Sequence, residues 1–115
     1  MDIGFRIPVL LRTYNDGSGE KIAMDSKDIV CIKQIKNALG LHARPASIFV
    51  QTACNFKSAV IVEKDSDSVN GKSLMGLLML AAGYGSDITL KISGEDAEQA
   101  CKALSDLIDN KFNEE

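Results

Sequence analysis

Between residue 28 and the C-terminus the hydrophobic period switches repeatedly between two and 3.6, and that succession restricts the chain to few folds. Ile29 to Ile35 alternates β-branched and polar residues, the pattern of a strand. After Gly40 the spacing lengthens: Ala46, Phe49, Val50 and Ala53 fall at i, i+3, i+4 and i+7, one face of a helix. Pro45 suits the first turn of that helix, where its missing N–H costs nothing. Ala59 to Val62 reads as a buried strand. Asp65-Ser66-Asp67 turns it back into a short strand near Val69, ending at Asn70-Gly71.

Ser73 to Ala82 predicts a short helix that is apolar nearly all round. Leu74, Leu77, Leu78 and Ala81 make one stripe, Met75 and Met79 lie on another face, and Gly83-Tyr84-Gly85 ends the segment. Such a helix is either deeply buried or presents its second face to a partner. Ile88, Leu90 and Ile92 then alternate with Thr89 and Lys91, a half-buried strand. Ser93-Gly94-Glu95-Asp96 offers an S-x-x-D start for a last helix, in which Ala97, Ala100, Cys101, Leu104, Leu107 and Ile108 keep the 3.6 period. The order β-α-β-β-α-β-α predicts an α+β fold, an open-faced sandwich. Four antiparallel strands form one sheet, and three helices cover a single face of it. Strand order does not follow from period.

The first 27 residues have a different texture, and we read them as an N-terminal extension with a boundary near Ser26, followed by a domain over residues 28–115. Ile3 to Leu11 has strand character that Pro8 interrupts, and Asn15-Asp16-Gly17-Ser18-Gly19 is a turn or flexible loop. A second reading is that translation begins at Met24, because Gly19-Glu20-Lys21 is encodable by a purine-rich ribosome-binding stretch. The intact mass of the native protein distinguishes the two.

Composition excludes several classes. A formal charge of −3 leaves no broad basic surface for nucleic acid. No stretch approaches the ~18 apolar residues that span a bilayer. Acidic Asp2 stands where a secretory signal would be basic, so a cytoplasmic protein is expected. Cys31, Cys54 and Cys101 are odd in number and lack C-x-x-C spacing, which points to reduced thiols acting as small buried apolar residues.

The candidate chemistry centres on His42, the single histidine, in Gly40-Leu41-His42-Ala43-Arg44-Pro45-Ala46. A helix starting directly after it would aim unsatisfied N–H groups and a partial positive charge at the imidazole, an anion-binding arrangement. Arg44 adds a permanently charged fork matched to phosphate geometry. A nucleophilic nitrogen beside an anion hole and an arginine is what transient phosphorylation needs. Histidine suits the task because imidazole ordinarily titrates near neutrality. On spacing alone, a lone loop histidine more often caps or packs. Metal binding has no second His or Cys ligand nearby, and no nucleotide-cradling P-loop exists. The second cluster is Asn70-Gly71-Lys72-Ser73-Leu74-Met75-Gly76, with Ser73 at the preferred N-cap of the apolar helix. A cap is the commoner role for such a serine. A phosphate there would still be stabilised by the helix end while charging an apolar patch.

Together the two clusters resemble the HPr family of the bacterial sugar phosphotransferase system. G-L-H-A-R-P-A matches the active-site signature, K-S-L-M-G is similar to the regulatory-serine signature, and the spacing from His42 to Ser73 is the family's. The resemblance runs from about residue 28 to the C-terminus. It implies an open-faced sandwich and a phosphotransfer protein rather than a conventional enzyme, without cofactor or metal. His42 would accept phosphate at its δ1 nitrogen from phospho-enzyme I and pass it to the A components of sugar permeases, with Arg44 neutralising the phosphoryl group. Ser73 would be phosphorylated by HPr kinase/phosphorylase. Ala43, Leu74, Met75 and Leu78 would form the docking patch of a monomer. An alternative within the same resemblance is a mainly regulatory protein whose phosphorylated Ser73 acts on a carbon-regulation transcription factor. Leu39 departs from the pattern, which has a small polar residue just before the glycine.

Overall fold

The computed structural model describes residues 12–15, 21–24 and 28–113. In chain order its elements are β1 (Arg12–Asn15), β2 (Lys21–Met24), β3 (Ile29–Gln34), α1 (Ala43–Ala53), β4 (Ala59–Lys64), β5 (Asp67–Asn70), α2 (Leu74–Leu80), β6 (Asp87–Ser93) and α3 (Ala97–Asp109). A 3-10 turn, Lys111–Asn113, follows. β3 to β6 form one antiparallel sheet in the order β3-β6-β4-β5. The three helices pack on one face of it, so the α+β open-faced sandwich read from the periods is the architecture found. β1 and β2 pair as a separate antiparallel hairpin. The strand expected over Ile3 to Leu11 and most of the Asn15–Gly19 turn lie outside the described residues.

The core forms where the period-two and 3.6 patterns meet. Ile88, Leu90 and Ile92 of β6 alternate inward and are 0% exposed. They face Phe49 of α1, Leu77 of α2 and Leu104 and Ile108 of α3 in one buried cluster. Burying a side chain of this size contributes about 1.5–3 kcal/mol each, so α3, which buries Leu104 and Ile108 beside the smaller Ala97 and Ala100, is held by its packed face rather than by intrinsic propensity.

Three local expectations are corrected. The S-x-x-D box does not cap α3: Asp96 is its N-cap residue but makes no side-chain cap bond. Its carboxylate instead accepts hydrogen bonds from the backbone N–H of Lys57 (2.9 Å) and Ser58 (3.0 Å) and from the Ser58 hydroxyl. These stronger charge-assisted partners tie the α1–β4 turn to α3. α2 ends at Leu80, before Gly83-Tyr84-Gly85, because Ala81 turns into the left-handed region at φ 56°. Its buried stripe is Gly76, Leu77 and Leu80, while Leu74 and Ala81 lie outward. The cysteines also differ from expectation. Cys31 on β3 and Cys101 on α3 are half-buried and disulfide-bonded with Cα atoms 7.5 Å apart, and Cys54 is exposed. Spacing arithmetic missed this pair because sheet-to-helix packing, 70 residues apart in sequence, creates it.

The Asp96 clamp carries a pH signature. The Ser58 hydroxyl first, and then the Lys57 N–H, hold its carboxyl below the usual aspartate range. A lowered folded-state value means the stabilisation is fully present above the unfolded value of about 3.9 and is lost as pH falls through the folded one. Asp96→Asn should therefore melt below wild type at pH 7, and the two should converge in acid below the ordinary aspartate range. A melting gap independent of pH would remove the Asp96 charge from this account.

Candidate functional site

His42 is the N-cap residue of α1, extended at φ −86° and ψ −169°, and it makes no side-chain cap hydrogen bond. Its carbonyl accepts from the Ala46 N–H (2.9 Å), which starts the helix, and its own N–H donates to the Gly40 carbonyl (2.9 Å). The first N–H groups of the helix have no partner within it. Of these, Ala43 and Arg44 supply a donor each and Pro45 supplies none. Half-exposed His42 thus stands at the positive end of an eleven-residue helix. Ala43 and Arg44 are exposed, and Arg44 forms no ion pair among the described residues. Its side chain borders a groove of about 230 Å³ shared with Ile48, Phe112 and Asn113.

The loop before His42 is fixed from below. Gly40 adopts φ +71°, and a Cβ there would collide with the Ala82 carbonyl oxygen and come within 2.6 Å of the Gly83 Cα. Glycine is required by both backbone conformation and space. The Leu41 N–H donates to that same Ala82 carbonyl (2.8 Å), and the Leu41 side chain is buried. The left-handed turn at Ala81 is what brings Ala82 round to receive this bond. Buried Asn37 donates from Nδ2 to the Gly40 carbonyl (2.7 Å). Sequence reading missed Asn37 and looked to position 39 for such a bond. Leu39 points to solvent at 73% exposure, and Asn37, three residues before the glycine, supplies it.

Ser73 is the N-cap of α2, as its position before the apolar run predicted, and its Oγ accepts from the Gly76 N–H (3.0 Å). α1 and α2 pack against each other, so the two clusters occupy the starts of neighbouring helices on the helical side of the sheet. Leu74 and Met75 are exposed beside Ser73, whereas Leu78 is half-buried against the core. Met79, 75% exposed, continues the outward face and was not singled out in the docking patch, although it lies one turn beyond Met75. Among the described residues no cluster of His, Cys, Asp and Glu could hold a metal ion, and no helix is long and apolar enough to cross a membrane.

The PTS-HPr family model, the phosphorylation site of the HPr component, matches residues 32–110. The chain is similar to the phosphocarrier protein HPr of Neisseria meningitidis serogroup A, 53% identical over 81 residues that make up 70% of this chain and 91% of the relative. It is also similar to the HPr-like protein Crh of Halalkalibacterium halodurans, 47% identical over 78 residues, 68% of this chain and 93% of the relative. The crystal structure of HPr from Thermoanaerobacter tengcongensis superposes with a TM-score of 0.74 at 50% identity, covering 76% of this chain and 98% of that one. Both the fold and the matched span put the two clusters inside the shared domain, and the chain belongs to the HPr family of phosphotransferase-system phosphocarriers.

Proposed function

We propose that His42 accepts a phosphoryl group from phospho-enzyme I and passes it to the A components of sugar permeases, in the cytoplasm and as a monomer. The observation that carries this reading is the placement of a half-exposed imidazole at the N-cap of α1, with exposed Arg44 two residues on. The neutral δ1 nitrogen attacks phosphorus, a P–N bond forms, and the bond to the enzyme I nitrogen breaks. Charge in the transition state sits on the peripheral oxygens, where helix N–H groups and the Arg44 guanidinium stabilise it. Ala43, Leu74 and Met75 form the contact surface for partners, with Leu78 supporting it from within. Incubation with enzyme I and phosphoenolpyruvate tests the reading. Acid-labile phosphate on the chain is expected, and none, where a control carrier is labelled, would defeat it.

Ser73 is the regulatory position, phosphorylated by HPr kinase/phosphorylase and read by a carbon-regulation transcription factor. Its Oγ already caps α2, so an added phosphate would stay near the helix end while placing about two negative charges beside Leu74 and Met75. Ser73→Asp should fold normally, since aspartate is an equally good N-cap. Its rate of labelling by enzyme I should fall about tenfold or more, because charge enters the apolar contact surface. An unchanged rate would separate Ser73 from control of transfer.

A further inference from the structure

The first strand of the domain and its last helix carry two cysteines for which phosphoryl transfer has no use. On β3 the alternation sets Ile29, Cys31 and Lys33 on the helix side, and Cys31 is bonded there to Cys101 of α3. Both cysteines are half-buried, so neither is sealed from a small solute. The two elements do not need the bond to stand side by side. β3 pairs with β6 through six residue pairs, α3 buries Leu104 and Ile108 in the core, and Lys33 and Lys36 reach Asp109 at 2.9 and 3.4 Å. A cysteine pair brought together by a fold that stands on other contacts opens and closes without refolding. That is the condition for a reversible thiol–disulfide site rather than a folding staple. The third cysteine, Cys54, is a free and exposed thiol.

We propose that Cys31 and Cys101 are a reversible redox site of this chain, oxidised by a low-molecular-weight disulfide of the glutathione class. One protein thiolate attacks a sulfur of the small disulfide, a mixed disulfide forms, and one small thiol leaves. The second cysteine then attacks the protein sulfur of that mixed disulfide. The Cys31–Cys101 bond forms and the second small thiol leaves. Two protein thiols are oxidised, one small disulfide is reduced to two thiols, and the two protein protons end on those leaving groups. The closed bond joins residues 70 apart in sequence, from the first strand of the domain to its last helix. A loop that long removes much freedom from the unfolded chain, so the oxidised form is the more stable one. In the reduced form β3, which has a neighbouring strand on one side only, opens more readily. The exchange uses no group assigned to phosphoryl transfer, so it stands or falls independently of that chemistry.

Oxidised glutathione is the probe, applied to the full chain carrying Cys54→Ser so that the exposed thiol forms no mixed disulfide of its own. After dithiothreitol this chain should show two titratable thiols. After equilibration with oxidised glutathione it should show none, with an intact mass lower by two hydrogens and no glutathione adduct. The oxidised form should melt about 10 °C or more above the reduced one, and dithiothreitol should reverse the rise. Cys31→Ser and Cys101→Ser, each in the same background, should lose the rise. Thiols that stay titratable, a glutathione adduct in place of the internal bond, or redox forms that melt within a few degrees of each other would overturn the proposal. So would a rise that persists in both serine variants. A bond that dithiothreitol fails to open in the folded chain would also sink it, because the pair would then be a permanent staple.

Discussion

His42→Ala should reduce enzyme I-dependent labelling by at least about a thousandfold, to the background of the assay, with little change in stability. The chain has no other imidazole to take over the nucleophilic role. Two bonds that position residue 42 are made by its backbone: the carbonyl to the Ala46 N–H and the N–H to the Gly40 carbonyl. Alanine keeps both. Half-exposed residue 42 stands outside the buried core, so the substitution should cost no more than about 1 kcal/mol. Labelling and thermal melting on the same samples check the two halves together. Labelling retained on the variant would move the phosphoryl group to another residue, and a large drop in melting temperature would make His42 structural.

That separation of chemistry from support explains which parts of the molecule were legible in the sequence. Periods named the elements because one residue after another obeys them: Ala97, Ala100, Leu104 and Ile108 mark the buried side of α3 without reference to anything else. The site's reactive groups were legible for a similar local reason, since His42, Arg44 and Pro45 are neighbours at one helix start. Groups whose roles depend on distant chain were not. Asp96 follows a capping pattern but binds Lys57 and Ser58, almost forty residues away, because a carboxylate gains more from three donors than from one cap. Cys31 and Cys101 meet only after the sheet and α3 pack. Asn37 carried no period to reveal it, and its role required knowing that the loop closes on Gly40. The run Val60-Ile61-Val62 did announce its burial, and the structure adds that Val60 and Val62 join the helix-side core while Ile61 stands outside it.

Gly40→Val should be the most damaging single substitution that leaves every reactive group in place. At φ +71° a β-branched residue is strained, and its Cβ meets the Ala82 carbonyl oxygen, which is backbone and cannot rotate aside. Relief requires the loop to part from Ala82 and Gly83, and that breaks the 2.8 Å bond from the Leu41 N–H and lifts buried Leu41. Strain plus the lost bond amount to about 3 kcal/mol or more, which for a domain of this size lowers the melting temperature by ~10–20 °C. Stability of this order remains within the margin of an ordinary domain, so a folded variant is expected. In it the residue-42 backbone no longer holds its place at the start of α1, and a displacement near 1 Å at a reacting group costs about a hundredfold in rate. Labelling by enzyme I should accordingly fall by roughly ten- to a hundredfold, with His42 and Arg44 both present. If the variant melts within a few degrees of wild type and is labelled at the wild-type rate, the contact between the Gly40 loop and Ala82 does not position the histidine.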